Sequence, residues 1–131
     1  MPDASPQLAR EEASRIEVAQ VFPKKKMYKL CFFVPKTHVE SVKAALFQAG
    51  AGHIGAYDCC CWQTEGTGQF RPRPGSHPAI GKTNQLTHVP EWKVEMVCAD
   101  DVLKQAIEAL RQAHPYETPA FEYWRIQDEM A

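Results

Sequence analysis

Between Tyr28 and Val34 the chain runs Tyr-Lys-Leu-Cys-Phe-Phe-Val, largely apolar and β-favouring, and Pro35 ends it. That pattern predicts a central strand buried on both faces. After it, Val39, Val42, Ala45, Leu46 and Ala49 recur at helical spacing, with Glu40, Lys43 and Gln48 turned away. Thr37 followed by Glu40 reads as a capping box opening this helix, and Gly50 and Gly52 read as its stop. His53 to Trp62 is expected to be extended, with a bend or bulge at Gly55 and with Cys59 and Cys61 on the face opposite Cys60. Residues 85–89 predict a short strand, Pro90 interrupts, and Trp92 to Cys98 alternate as a half-buried strand. Asp100 and Asp101 are expected to cap and charge the start of a second helix. Its apolar face is Val102, Leu103, Ala106, Ile107, Ala109, Leu110 and Ala113, and His114-Pro115 ends it. Ala120 to Ile126 predict the last strand, with Phe121, Tyr123 and Arg125 on one face.

The resulting order, β-α-β-loop-β-α-β, predicts an α+β ferredoxin-like βαββαβ sandwich, an antiparallel sheet with two helices on one face. The other sheet face would carry Tyr28, Phe32, Trp92 or Trp124, depending on register, and an uncovered apolar face or a free edge strand points to oligomerisation. The domain is expected to span 27–127 with a long loop at 63–84. Residues 1–26, poor in large apolar residues, are expected to form a flexible N-terminal extension, and Met27, where the first strand begins, is a candidate natural start. The one irregular stretch, 50–81, holds all 7 glycines of the chain. Long ordered loops are uncommon and usually functional, so a site is expected there.

Composition narrows the class. The chain has 131 residues and a formal net charge of -1, which predicts one domain and gives no electrostatic case for nucleic acid or membrane. The run Lys24-Lys25-Lys26 reads as a solvated linker. No stretch reaches the ~20 apolar residues of a membrane span, and the first residues lack the basic and apolar regions of a secretory signal. With 5 cysteines, three of them adjacent, reduced thiols in a cytoplasmic protein fit better than a disulfide framework.

His114-Pro115-Tyr116-Glu117-Thr118-Pro119, leading into the last strand, resembles the C-terminal part of CutA proteins. It resembles more closely the PII/CutA-like domain inserted in the Nif-three (NGG-one-interacting-factor-three) dinuclear-metal proteins, of which YqfO is the bacterial form. Gly50-Ala51-Gly52-His53-Ile54-Gly55-Ala56-Tyr57, the stretch Trp62 to Pro72, and Pro74-Gly75-Ser76-His77-Pro78-Ala79-Ile80-Gly81 look like the same domain, in the same order. The resemblance implies a stand-alone PII/CutA-like module that assembles as a trimer. Gly52, Gly55, His114, Pro115, Tyr116, Glu117 and Pro119 are then structural motif residues. The resemblance does not extend to the α/β domain that holds two metals in the full-length proteins, so no metal ligand is expected to carry over, nor the label of GTP cyclohydrolase homologue.

Three chemistries compete on these residues. Thr64, Glu65, Gly66, Thr67 and Gly68, with Arg71 and Arg73, would make a nest of backbone N–H groups backed by guanidinium charge, suited to a small anionic ligand. This is neither a Walker loop nor a dinucleotide fingerprint, and the alternative is simple glycine turns beside solvated arginines. His53, Cys59, Cys61, His77 and His114 would make a soft site for copper or zinc. Against this, no metal-ligand spacing is present, and buried cysteine commonly serves as a small hydrophobe. His114 and Glu117 would serve as acid and base, but a turn whose histidine caps the helix C-terminus explains them better. The leading expectation is a non-enzymatic, homo-oligomeric binding module without cofactor, contacting a small ligand or a protein through residues 63–81. The alternatives are a metal-binding protein of CutA type and an accessory subunit of a separate metal-dependent hydrolase.

Overall fold

The computed structural model describes residues 25–130. Most of the expected extension, 1–24, lies outside the described residues. Four strands, β1 (Met27–Pro35), β2 (Trp62–Phe70), β3 (Thr87–Ala99) and β4 (Phe121–Ile126), and two helices, α1 (Val39–Gln48) and α2 (Asp100–Ala113), follow in the order β1-α1-β2-β3-α2-β4. The sheet runs β2-β3-β1-β4 with every pairing antiparallel. This is the ferredoxin-like α+β sandwich that the hydrophobic pattern predicts.

Both helices bury their apolar stripes on one sheet face. Leu30, Phe32 and Val34 of β1 and Val94, Met96 and Cys98 of β3 meet Val42 and Leu46 of α1 and Ala106 and Leu110 of α2 in one core. Register settles which aromatics share that face: Phe32 lies opposite Phe121, and both Phe32 and Trp92 pack into the core. Tyr28 stands edge-on to Tyr123, with ring centroids 5.9 Å apart. Trp124, opposite Lys29, and Trp62, opposite Glu95, lie on the face the helices leave open, at its two edge strands.

The expected capping box does not form. Residues Lys36–His38 make a single 3-10 turn, Thr37 Oγ1 lies 2.8 Å from His38 Nδ1, and Glu40 pairs with Lys43 instead. Asp100 and Asp101 occupy the first turn of α2, where their charge faces the helix dipole, but Ala99 is the cap residue. The glycine stop of α1 is a Schellman motif: the N–H groups of Gly50 and Ala51 donate to the carbonyls of Phe47 and Leu46, each at 3.1 Å.

The larger differences lie in the middle of the chain. Residues 53–61 are a loop, closed by an Ile54–Tyr57 bridge and by the Cys60 N–H donating to the Gly52 carbonyl at 2.9 Å. Cys59 has a positive φ there, so the three cysteines do not alternate as in a strand. The second strand is Trp62–Phe70, most of it within the stretch expected to be loop, so the loop runs only from Arg71 to Leu86. An outer strand exposed on both faces has little apolar alternation to betray it. Pro90 does not break β3. It lies one position past the end of β1, where Pro35 faces Glu91, so the ladder with β1 asks no N–H of it.

Gly52 joins helix, loop and sheet. Its N–H donates to the Val97 carbonyl at 2.8 Å, its φ is +82°, and a Cβ there would sit 2.8 Å from the Phe47 ring. Gly52→Ala is expected to destabilise the domain by about 2–4 kcal/mol through left-handed strain plus overpacking. Urea denaturation measures it, and a loss below about 0.5 kcal/mol would contradict the assignment.

Candidate functional site

The turn after α2 is wired to three separate parts of the fold. Pro115 forces His114 out of helical geometry, to φ −73° and ψ 134°, while its N–H still closes the helix on Leu110. The imidazole is buried. Its Nδ1 accepts the Tyr116 N–H at 3.1 Å, which leaves Nε2 as the protonated nitrogen, donating to the Phe33 carbonyl at 2.7 Å. Burial pushes the His114 pKa below the usual histidine value, against the hydrogen bond to Phe33 and the Glu91 charge, which raise it. A neutral imidazole with both nitrogens engaged is neither a cationic helix cap nor a metal ligand.

Tyr116 reaches β3. Its hydroxyl donates to Glu91 Oε2 at 3.1 Å, and its ring lies 6.0 Å from that of Phe70. Burial, then the Glu91 charge and hydrogen bond, raise its pKa. Glu91 lies across Gly68 on the neighbouring strand, filling the space a side chain at that position would need. Glu117 reaches the loop, where its Oε2 accepts the His77 N–H at 2.6 Å. Within the loop, the Asn84 N–H donates to the Pro72 carbonyl at 2.6 Å, and Ser76 Oγ donates to the Arg73 carbonyl at 2.7 Å.

These contacts hold open a cleft of about 260 Å³ between the loop and the turn. The end of β2 and the start of the loop supply Gln69, Phe70 and Pro72, and the loop adds Ser76, Pro78, Ala79 and Ile80. Glu91, Tyr116, Glu117 and Thr118 close the far side. Three of the four stretches that carry the family resemblance thus meet at one place. The fourth, around His53, Ile54 and Gly55, lines a different hollow beside Met27, Val97 and Asp128.

The nest expected at residues 64–68 is not built. Thr64, Glu65, Gly66, Thr67 and Gly68 lie in β2 paired with β3, and neither glycine has a positive φ. Glu65, Gly66 and Thr67 instead line a shallow groove with Lys36 and Trp92. Arg71 is exposed, Arg73 donates to Asn84 Oδ1 at 3.3 Å, and neither lines the cleft. Strand pairing is the reason: a ladder directs alternate N–H groups to the neighbouring strand, so successive ones cannot converge on an anion. The soft-metal set is not assembled either, since among the described residues no three His, Cys, Asp or Glu side chains are placed to hold an ion. Cys61 packs against the core and Cys59 is exposed, while burial pushes the Cys98 thiol up to about 11. Gly55 has a positive φ, and Pro115 and Pro119 flank the turn. Glu91 is the cleft residue the residue pattern does not single out. Only register, which sets it over Gly68 and under Tyr116, brings it to the site.

The ferredoxin-like sandwich with this turn and loop defines a PII/CutA-like domain. No family model matches the chain. It is 40% identical over 114 residues to a GTP cyclohydrolase 1 type 2 homolog of Halalkalibacterium halodurans, covering 87% of this chain and 31% of that protein. It is 39% identical over 120 residues to the Bacillus subtilis protein of the same name, covering 92% and 32%. The chain therefore spans about a third of the length of these relatives. Among solved structures, a Bacillus cereus protein related to NIF3 matches with a TM-score of 0.69 at 38% identity, covering 79% of this chain and 26% of that one. CutA1 from Ehrlichia chaffeensis, a divalent ion tolerance protein, matches at 0.56 and 14% identity over 80% and 85%, a likeness of fold. The chain is a PII/CutA-like domain of the Nif-three type, related to one part of those longer proteins.

The His114 arrangement makes stability pH-dependent in a definite sense. Its pKa is lower folded than unfolded, so its contribution is complete above the unfolded value of about 6.5. As pH falls below that value the unfolded chain takes up the proton first, and stability is lost down to the folded pKa. The urea midpoint is expected to drop between pH 7.5 and 5, and to drop less steeply in His114→Gln, which keeps a donor and an acceptor without titrating. An equal slope in the two proteins would count against a buried neutral imidazole.

Proposed function

We propose that this chain is a non-enzymatic binding module that works as a homo-oligomer, a trimer, and takes a small ligand in the cleft between the 71–86 loop and the 114–119 turn. The observation that carries the reading is convergence: the stretches at 62–72, 74–81 and 114–119, far apart in sequence, build one largely apolar cleft. Small-molecule sites are concave and largely apolar, with a few placed polar groups, and Glu91, Tyr116 and Glu117 fit that description here. The cleft is further held by hydrogen bonds from both sides, so little ordering is left for a ligand to bring about.

Trp62 and Trp124 support the oligomer. They are 61% and 43% exposed at the two edges of the sheet face that the helices do not cover, where a second copy would bury them. Among the described residues no helix is long and apolar enough to cross a membrane.

Two measurements test the proposal. A fragment screen followed by amide NMR is expected to move resonances of Phe70, Ile80 and Tyr116, and Ile80→Arg, at a surface position, is expected to abolish those shifts. Hits that map elsewhere, or that bind Ile80→Arg unchanged, would overturn the cleft. Light scattering after size exclusion is expected to give three times the chain mass, and a clean monomer at micromolar concentration counts against the trimer.

A further inference from the structure

The cleft has a pronounced chemical bias. Six of its lining residues are apolar: Phe70, Pro72, Pro78, Ala79, Ile80 and Ala120. Its charged groups are two carboxylates, Glu91 and Glu117, and no lysine, arginine or histidine lines it. Neither carboxylate forms an ion pair among the described residues. Each has part of its capacity engaged by a neutral donor: Glu91 Oε2 by the Tyr116 hydroxyl at 3.1 Å, Glu117 Oε2 by the His77 N–H at 2.6 Å. An ionised carboxylate accepts several hydrogen bonds, so both retain acceptor capacity after these contacts.

The Tyr116 hydroxyl, already committed to Glu91, offers a ligand little donor capacity, and it stays protonated because its pKa is raised. The arginines that would have favoured an anion stand outside, with Arg73 turned to Asn84. Two unpaired negative charges beside a low-dielectric wall favour positive charge on whatever enters. At about 260 Å³ the cleft falls just below the ~300–1,000 Å³ range of drug-sized ligand sites, which limits the occupant to a small molecule.

We propose that the cleft selects a small organic cation, an amine or guanidine carried on a short apolar or aromatic body. The apolar body lies against Phe70, Pro78 and Ile80 while the ammonium or guanidinium group donates charge-assisted hydrogen bonds to Glu91 and Glu117. This deepens the binding-module reading and rests on it, and it reverses the charge of the ligand that the arginine-rich stretch at 66–73 leads one to expect.

Three probes of one shape test it on the full chain at low ionic strength: 2-phenylethylamine, 2-phenylethanol and phenylacetate, each titrated by amide NMR. The amine is expected to bind at the resonances of Phe70, Ile80 and Tyr116 at least about fivefold more tightly than the alcohol, with the carboxylate weakest. Glu91→Gln and Glu117→Gln keep an acceptor for Tyr116 and for His77. Each is expected to weaken the amine by about threefold or more and to leave the alcohol nearly unchanged. Equal binding of amine and alcohol, or preference for the carboxylate, would overturn the cation selectivity while leaving the cleft as a binding site. If none of the three moves cleft resonances, while the fragment screen finds other ligands there, the selectivity falls alone. If that screen is also silent, both readings fall.

Discussion

One buried imidazole sits where the two halves of the sandwich are joined. The β1 backbone at Phe33 is held on both sides by the segment between α2 and β4: its N–H donates to the Ala120 carbonyl and its carbonyl accepts from His114 Nε2. The other His114 nitrogen accepts from Tyr116 and so fixes the direction of the turn. Both bonds require one tautomer of the neutral ring, because a protonated Nδ1 cannot accept. Burial supplies that condition by making the charged ring costly. A residue that looks catalytic in the sequence is thus committed on both of its polar atoms to holding chain segments together.

Everything at the cleft hangs from that turn. With His114 anchored to β1, Tyr116 falls against Phe70 and reaches Glu91, and Glu117 meets the N–H of His77. β1, β3 and the loop after β2 are each held by one side chain of the four-residue segment 114–117. Gly68 contributes by having no side chain, for the Glu91 carboxylate lies across it. The loop after β2 is therefore pinned at its middle by Glu117 and at its ends by the Pro72–Asn84 bond and the sheet, which keeps an apolar surface open instead of letting it collapse.

The same architecture accounts for two grades of similarity. The sandwich alone, with helices on one sheet face, suffices for likeness to CutA1 at 14% identity. The relatives of the Nif-three type share near 40% identity, and the stretches that carry the resemblance include those that frame the cleft. Their greater length leaves the chemistry of their other parts with those parts.

Residue pattern by itself determined β1, both helices, β4 and the fold class: β1 is an apolar run buried on both faces, each helix repeats the stripe it buries, and β4 is rich in β-favouring residues. The glycines also marked 50–81 as the irregular region, and the family resemblance singled out His114 to Pro119. Residue pattern could not reveal β2. Trp62 to Phe70 is an edge strand open on both faces, so it carries glycines and polar residues that read as loop. Only the paired register of β2 and β3 showed that Gly66 and Gly68 are strand residues, that Arg71 and Arg73 stand away from the cleft, and that Glu91 enters it. Local pattern records whether a residue is buried; which distant residue it is buried against, and hence the charge a cleft presents, is set by strand register and by the turn that His114 holds in place.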